Sequence, residues 1–438
     1  MVKKVDTARV ILWGQVVGAV SWLEDHEYGV FEYDPKFLKL GLDLSPIHMS
    51  IDEAQHSKRI FSFPALNKQT YLGLPGLLAD ALPDKFGNSI IDAWLARNGR
   101  TISSFSPVER LCYTGKRAMG AFEFEPAMVD QFDASVPVEV TQLVELAQSI
   151  ISQRNVLDVS LGDSGKENTE AIMDILRVGT SAGGARPKAV IATNPEGKVM
   201  SGQSQAPPDY DYWVLKFDGV TDLELGEPNG YGRIEYAYSL MANAAGITMS
   251  DCRLLEENGR AHFMTKRFDR VNGRKLFMQS LCGIAHYDFN LAGAYSYEQA
   301  FMIMRKLRLT KADAIEQYRR MVFNVLARNQ DDHTKNIAFL MDKDGKWRLS
   351  PAFDVTYAHN PAGQWTNQHQ MTLNGKRGDF NREDLLAVAE SISLKNAGEV
   401  INSIAAAVEK WPEFASRAGV SGKRMNEIAK YHRLNSVG

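Results

Sequence analysis

The sequence predicts an α+β fold with two lobes, a β-rich N-terminal lobe and a helical C-terminal lobe. Residues 5–60 carry short β-type runs broken by Gly, Asp and Pro, and residues 170–270 alternate further strand patterns with one long helical pattern. From Tyr297 onward the period is helical almost throughout. At 438 residues, and at roughly 100–200 residues per domain, the chain should hold about two to four structural units.

The N-terminal subdomain is predicted to cover residues 1–130. Its β-type runs at 9–13 and 29–33 indicate an antiparallel meander, because turn-forming residues separate them. Residues 76–97 then place Leu and Ile at helical spacing, and Pro83 predicts an interruption near the middle of that helix. An acidic segment without a clear period follows, which places the domain boundary near residue 130.

Two further domains are predicted, at residues 131–270 and 271–438. The first of them holds the remainder of the N-terminal lobe, and the second is the helical lobe. The patterns predict helices at 138–152 and 234–247, strands at 188–193, 212–218 and 262–269, and a β-like stretch at 337–355 inside the helical lobe.

The composition is that of an ordinary globular protein, with 44% apolar, 24% charged and 10% aromatic residues. A formal net charge of −3 argues against a protein that binds nucleic acid mainly through its own positive field. The three cysteines, at positions 112, 252 and 282, are far apart, which predicts neither a disulfide framework nor a zinc site. Without a signal-peptide pattern or a long apolar run, we expect a cytoplasmic protein with no membrane partner.

The most informative segment is residues 326–340, in which a dense polar cluster stands between apolar flanks. Asp331 and Asn336 have the D-x-x-x-x-N spacing with which protein kinases place a catalytic base and a Mg²⁺ ligand. Asp354 follows eighteen residues after Asn336, where a second metal-binding carboxylate is expected. Any one of these residues alone could instead cap a helix or fill a turn.

A glycine-rich stretch lies upstream at residues 178–192. The backbone N–H groups of Gly179, Gly183 and Gly184 could cradle a phosphate, although a simple β-turn is the alternative. The stretch fails the P-loop pattern, because Ala185 stands at the lysine position and a strand pattern follows in place of a helix. A kinase-type loop that covers ATP suits this context better.

The same stretch also contains the G-x-S-x-G pattern of the hydrolase nucleophile elbow, with Ser181 as the nucleophile. That elbow requires a strand before it and a helix after it. Here a helical pattern precedes at 170–176, and Pro187 and a strand pattern follow. A serine hydrolase is therefore kept as an alternative function, which would need no ATP.

Lys216 lies inside an apolar strand pattern, where an unpaired ammonium group would be costly to bury. ATP phosphates, or Glu235 at the head of the next helix, could neutralise it. The alternative is a lysine on an edge strand that reaches solvent. His333 is expected to hold the polar loop by hydrogen bonds and not to bind a metal.

In this order, the motifs resemble the HipA-type serine/threonine kinases, which are toxins of type II toxin–antitoxin systems. They are GTSAGGARPK (179–188), WVLKFDG (213–219), MTKRFDR (264–270), NQDDHTKN (329–336) and SPAFDV (350–355), and the match spans roughly residues 5–430. The strings LPDKFGNSIIDAWLAR and ERLCYTGKRAMGAFEFEP resemble the small N-terminal subdomain of that family. The resemblance implies a two-lobed, protein-kinase-like fold with ATP and Mg²⁺ as cofactors.

The resemblance also implies the role of each site residue. Asp331 would be the catalytic base, Asn336 and Asp354 the Mg²⁺ ligands, and Ser181 the autophosphorylated serine. The implied contacts to ATP are Gly179, Ala182, Gly183, Gly184, Lys188, Lys216, Lys266, Phe268 and His333. Asp332 departs from the pattern, because many relatives carry a small residue there, and only Asp331 has the five-residue step to Asn336.

Partners and regulation follow from the same resemblance. It implies a helix-turn-helix antitoxin, contact with DNA only through that antitoxin, and a protein substrate, for which an aminoacyl-tRNA synthetase is the best-known example in the family. A phosphate on Ser181 would add a charge of roughly −1.5 to −2 to a loop that wraps ATP, and like-charge repulsion should then displace the loop. A non-catalytic, nucleotide-binding partner module is the remaining alternative.

Overall fold

The computed structural model describes residues 4–128, 135–153, 186–220 and 230–436. The chain divides into two compact units. The first consists of Met1–Leu44, Met49–Gly230 and Leu254–Met278, and the second of Ser45–His48, Tyr231–Arg253 and Gln279–Gly438. The predicted α+β class is confirmed. The finer division at residues 130 and 270 stays a prediction.

An antiparallel sheet of five strands opens the first unit. The strands are β1 (Thr7–Leu12), β2 (Gln15–Leu23), β3 (Tyr28–Tyr33), β4 (Ile60–Phe61) and β5 (Phe122–Glu125), in the order β4-β3-β2-β1-β5. Alternate residues of β3 are buried, as expected for a sheet that packs one face on a core. The meander that the sequence predicts is therefore present.

Seven helices accompany this sheet among the described residues of the first unit. They are α1 (Pro35–Leu38), α2 (Ile51–His56), α3 (Lys68–Tyr71), α4 (Gly76–Ala79), α5 (Lys85–Arg97), α6 (Pro107–Thr114) and α7 (Val140–Gln153), with 3₁₀ turns at Glu24–His26 and Ile102–Ser104. Pro83 lies between α4 and α5, as its inability to continue a helix predicts. Asp84 begins α5 by accepting a hydrogen bond from the Gly87 amide at 2.6 Å.

A second five-stranded sheet has the order β7-β6-β8-β10-β9. Its strands are β6 (Lys188–Thr193), β7 (Val199–Ser201), β8 (Asp211–Lys216), β9 (Cys252–Glu257) and β10 (Arg260–Lys266). Ile191 and Leu215 of this sheet pack in one buried cluster with Ile90 and Trp94 of α5 and Leu143 of α7. The core therefore joins this sheet to helices from both sides of the predicted boundary near residue 130.

After the short hairpin of β11 (Arg270–Val271) and β12 (Arg274–Lys275), the chain passes into the second unit within β13 (Phe277–Ser280). That unit holds α8 (Tyr231–Ala244), α9 (Leu281–Ala285), α10 (Tyr297–Lys306), α11 (Lys311–Leu326), the hairpin of β14 (Ala338–Met341) and β15 (Trp347–Leu349), α12 (Arg382–Ser391), α13 (Ala397–Glu409), α14 (Trp411–Arg417) and α15 (Gly422–Ala429), with 3₁₀ turns at Thr334–Asn336 and Leu434–Ser436. Its core contains Tyr238, Met321, Ile401 and Trp411, so α8 packs with helices that come much later in the chain.

No helix in the described part of the chain has the length and apolar character needed to span a lipid bilayer.

Candidate functional site

The candidate site is built on the loop of residues 327–336, here called the Asp331 loop, which follows α11. The Gln330 amide donates a hydrogen bond to the carbonyl of Ala358 at 3.0 Å, and the Ala358 amide donates to the carbonyl of Arg328 at 3.1 Å. Arg328 itself has a left-handed backbone, with φ of 59°. These contacts fix the start of the loop against the segment that follows Asp354.

Asp331 presents a partly open carboxylate at the centre of this loop. Its side chain is 41% exposed, and its Oδ1 accepts a hydrogen bond from the Trp365 indole Nε1–H at 2.6 Å. The His333 Nε2 lies 3.8 Å from the same oxygen. Among the residues that the structure describes, none donates a hydrogen bond to Oδ2. That second oxygen is therefore available to a hydroxyl group.

Asn336 folds back onto the loop from the 3₁₀ turn Thr334–Asn336. Its Nδ2 donates to the backbone carbonyl of Asp331 at 2.8 Å, and its backbone amide donates to the carbonyl of His333 at 2.9 Å. Because the amide nitrogen is engaged, the acceptor oxygen Oδ1 is the atom left to face a ligand. The five-residue spacing thus brings Asp331 and Asn336 together, as the sequence predicts.

Asp332, by contrast, is a buried anchor. Its Oδ2 accepts hydrogen bonds from the Tyr297 hydroxyl at 2.7 Å and from the His369 Nδ1–H at 2.8 Å, and its Oδ1 accepts from the Gln370 amide at 2.8 Å. Burial opposes ionisation of this carboxyl, but the His369 ring, the Tyr297 hydroxyl and the Gln370 amide together hold the pKa of Asp332 below its usual value. Asp332 therefore supports the loop from beneath and has no oxygen left for a substrate.

Asp354 lies between two backbone anchors. The Ala352 amide donates to the carbonyl of Thr248 at 2.8 Å, and Ala358 pairs with the Asp331 loop. Asp354 itself has φ of 52°, a left-handed conformation that is uncommon for a residue other than glycine and that occurs disproportionately at functional sites.

The donor set suits Mg²⁺. This ion prefers oxygen ligands, and it takes only one or two carboxylates from the protein when substrate phosphates and water complete its shell. The Asp354 carboxylate and the Asn336 Oδ1 are donors of that kind. The described residues contain no cluster of three His, Cys, Asp or Glu side chains that would form a complete protein cage for a metal. The chemistry of these two side chains is therefore that of ligands to a magnesium ion shared with a phosphate group.

Two lysines expected near ATP lie side by side in the first unit, because Lys188 of β6 pairs with Lys216 of β8. Lys188 is 4% exposed, and its Nζ lies 3.5 Å from Oδ2 of Asp84, so it belongs to a buried ion pair. Lys216 is half-buried at the end of its strand, with Nζ 5.8 Å from the centre of the Phe263 ring. Lys188 thus has a structural partner that sequence reasoning did not identify.

Three charged residues of the motif MTKRFDR, Arg267, Asp269 and Arg270, form a buried ion cluster. Asp269 accepts hydrogen bonds from Arg267 at 2.7 and 2.9 Å, from Arg270 at 2.7 Å and from the Gly120 amide at 2.7 Å. Although burial opposes ionisation, the two guanidinium groups hold the pKa of Asp269 well below its usual range. The cluster ties the end of β10 to the segment before β5.

Apart from His333, the remaining expected residues divide into two groups. Lys266 is half-buried with its Nζ 2.8 Å from Oδ1 of Asp211, and Phe268 is half-buried in the turn after β10. Five others, Gly179, Ser181, Ala182, Gly183 and Gly184, lie outside the described residues.

His333 corrects one expectation. Its ring lies between Phe289 and Trp365, at centroid distances of 5.4 and 6.4 Å. Its Nδ1 is buried without a hydrogen-bond partner among the described residues. The side chain therefore supports the Asp331 loop by ring packing and not by the hydrogen bonds expected from the sequence.

Sequence reasoning missed three residues of the site: Trp365, His369 and Gln370. All three come from the polar string QWTNQHQ (364–370), which has neither helical nor strand period. The available signal was a tryptophan inside a polar loop close behind Asp354. Such a signal is too weak to assign a contact without the structure.

Comparisons with known proteins find two family models that match successive parts of the chain. Residues 8–125 match the family model of the HipA N-terminal domain, and residues 180–428 match that of the HipA-like C-terminal domain. A comparison with curated protein sequences finds no match.

Two solved structures resemble this chain, and one of them supports the fold. The toxin–antitoxin complex of HipA, HipB and operator DNA from Shewanella oneidensis MR-1 is similar at 15% identity and a TM-score of 0.65, covering 98% of this chain and 95% of that chain. The proinflammatory kinase CtkA of Helicobacter pylori matches at 15% identity over 52% of this chain and 89% of that chain. Its TM-score of 0.32 is too low to establish a shared fold. Since the C-terminal model alone spans more than half of the sequence, this chain belongs to the HipA family.

Proposed function

We propose that this chain is an ATP-dependent serine/threonine protein kinase of the HipA toxin type. The observation that carries the proposal is the Asp331 loop: a half-exposed carboxylate has one oxygen open, and Asn336 is hydrogen-bonded to the backbone of the same residue. The buried, fully bonded Asp332 supports the choice of Asp331 as the base.

The proposed reaction is phosphoryl transfer from ATP to a protein serine. The seryl oxygen forms a bond to the γ-phosphorus, while the bond from that phosphorus to the β–γ bridging oxygen breaks and ADP leaves. Asp331 accepts the hydroxyl proton as the new bond forms. A Mg²⁺ ion held by Asn336 and Asp354 would supply charge neutralisation on the phosphates.

The ATP contacts are part of the same proposal. Lys216 would reach the phosphates, and Lys266 and Phe268 would lie against the adenine. Lys188, which follows the glycines of the glycine-rich stretch in sequence, would contact ATP there. Its ion pair with Asp84 supports a second role, which is to fix the start of β6 after those glycines.

Regulation and partners are proposed by analogy with the family. The complex from S. oneidensis contains HipA, HipB and operator DNA. We infer an antitoxin partner of the helix-turn-helix type for this chain, with DNA contacted only through it, and a protein serine as substrate, an aminoacyl-tRNA synthetase being the first to test. Autophosphorylation of Ser181 would end activity by repelling the ATP phosphates.

The test is incubation of purified protein with γ-labelled ATP and Mg²⁺, followed by mapping of the phosphosite. We expect label on Ser181 in the wild type and none in Asp331→Asn. Asp344→Asn is the matched control, because Asp344 is an exposed aspartate in the β14–β15 turn of the same unit, and it should keep wild-type labelling.

Two other outcomes would contradict the proposal and favour one of the alternative functions. Bound nucleotide without any label would favour the non-catalytic module. Reaction of Ser181 with a serine-directed phosphonate, independent of ATP, would favour the hydrolase.

A further inference from the structure

One contact in the Asp331 loop lies outside the general chemistry of kinases. The Trp365 indole Nε1–H donates to Oδ1 of Asp331 at 2.6 Å. Within the described ranges, this is the single hydrogen bond received by that carboxylate. The Trp365 side chain is half-buried. The indole therefore lies directly against the group proposed to receive the substrate proton.

Hydrogen bonds of Gln370 fix the segment of residues 364–370, which contains Trp365. Gln370 is 3% exposed and donates its side-chain Nε2–H to the carbonyl of Trp365 and, at 3.3 Å, to the carbonyl of Gln330. Its own backbone amide donates to Oδ1 of Asp332 at 2.8 Å. Two adjacent aspartates are thus connected through this segment: Asp332 accepts a hydrogen bond from Gln370, and Asp331 accepts one from Trp365.

A carboxylate on a loop rotates easily about its last torsion, which has a broad, roughly two-fold profile. A hydrogen-bond donor fixed on one side of the carboxylate restricts this rotation, because one of the two oxygens must then face the donor. Oδ1 is then engaged by the indole, and Oδ2 points away from it. Restricting a reacting group to its productive orientation before the substrate arrives lowers the entropic part of the barrier.

We propose that Trp365 is a positioning residue for phosphoryl transfer: its indole N–H holds the Asp331 carboxylate so that Oδ2 faces the acceptor hydroxyl. The inference rests on the proposed kinase function. An indole N–H only donates, so Trp365 cannot compete with Asp331 for the substrate proton. An ionised carboxylate has about four lone-pair sites, so one bond to Oδ1 does not block acceptance at Oδ2.

The kinetic test compares Trp365→Phe, which removes the donor and keeps an aromatic ring, with Trp365→His, which offers a ring N–H again. We expect Trp365→Phe to lower the rate constant for labelling by about tenfold, while Kd for Mg-ATP changes less than about twofold. Trp365→His should recover part of the loss. Trp347→Phe is the matched control, since Trp347 is half-buried on β15 of the same unit and should leave the rate unchanged.

A second measurement does not depend on turnover. The chain has 7 tryptophans, and the indole ¹H–¹⁵N signal that disappears in Trp365→Phe identifies Trp365. That signal should shift upfield in Asp331→Asn, because a neutral amide oxygen is a weaker acceptor than a carboxylate. The other indole signals should stay in place.

The outcomes separate the two proposals. A wild type that binds Mg-ATP and never transfers phosphate overturns the kinase function, and the positioning role fails with it. An active wild type matched by an equally active Trp365→Phe overturns the positioning role alone, as does a Trp365 signal that is unmoved in Asp331→Asn.

Discussion

At the scale of single residues, Asp331 and Asp332 are neighbours with opposite surroundings. The Asp331 side chain is 41% exposed and has one hydrogen bond to its carboxylate, whereas the Asp332 side chain is 2% exposed and has three. A group that must exchange a proton with a substrate needs the first environment. A group that must fix a loop needs the second.

Replacing each aspartate by alanine should therefore give different results. Asp332→Ala leaves the Tyr297 hydroxyl, the His369 ring and the Gln370 amide without their acceptor, and we expect the free energy of unfolding to fall by about 3 kcal/mol. Asp331→Ala should lower it by less than about 1 kcal/mol and abolish labelling. Urea denaturation of both variants measures the difference. Equal losses of stability would contradict the assignment of Asp332 as the anchor.

The sequence could single out Asp331 as a candidate because the spacing to Asn336 is local and regular. It could not identify the anchor role of Asp332, because the three donors come from α10 and from the loop at 369–370. Contacts of that kind depend on how the chain returns to itself. The contact of Trp365 with Asp331 could not be predicted for the same reason, and no periodic pattern marks the loop that contains Trp365.

At the scale of elements, the sequence predicts the strands and helices, but it does not predict the contacts of the segments that connect them. β6 has the bounds that its apolar run predicts, Lys188–Thr193, and the break between α4 and α5 lies at Pro83 as expected. The contacts of the segment after α15 had no signal in the sequence. The Arg433 amide donates to the carbonyl of Leu326 at 2.9 Å, and the Arg328 Nε–H donates to the carbonyl of Tyr431 at 2.7 Å.

This C-terminal segment should stabilise the start of the Asp331 loop. Removal of residues 431–438 deletes both contacts and the packing of Tyr431 on His359, whose ring centres are 5.0 Å apart. We expect faster amide hydrogen exchange at residues 326–330 and a lower rate of labelling. Removal of residues 437–438 alone is the control and should change neither. Unchanged exchange at 326–330 in the longer deletion would contradict the supporting role.

At the scale of the whole molecule, acid should destabilise the second unit. Burial and the neighbouring His48 lower the pKa of His286 to about 3, and burial and Arg328 lower the pKa of His432 to about 4. Both rings stay neutral in the folded state, while the unfolded chain binds protons below about pH 6.5. These two groups therefore cost no stability above about pH 6.5. Below that pH they lower the free energy of unfolding until the pH reaches about 4 for His432 and about 3 for His286.

The expected loss is roughly 2 kcal/mol for each ring at pH 5. His432→Gln should consequently lose less unfolding free energy than the wild type between pH 7.5 and pH 5. His56→Gln is the matched control, because the His56 side chain is 72% exposed, and it should follow the wild type. Denaturation curves at the two pH values decide the matter. Parallel losses in His432→Gln and the wild type would contradict the buried, neutral state of His432.

The way the chain alternates between the two compact units also sets the order in which it can mature on the ribosome. Tyr238 of α8 emerges early, yet its ring packs against Trp411, at 5.2 Å between ring centres, which is made much later. Domains generally fold as units once their residues are complete. The apolar face of α8 must therefore stay without its native partners while the intervening helices are translated. During that interval the nascent chain exposes core residues, which makes it a substrate for general chaperones and a point at which slow translation would favour aggregation.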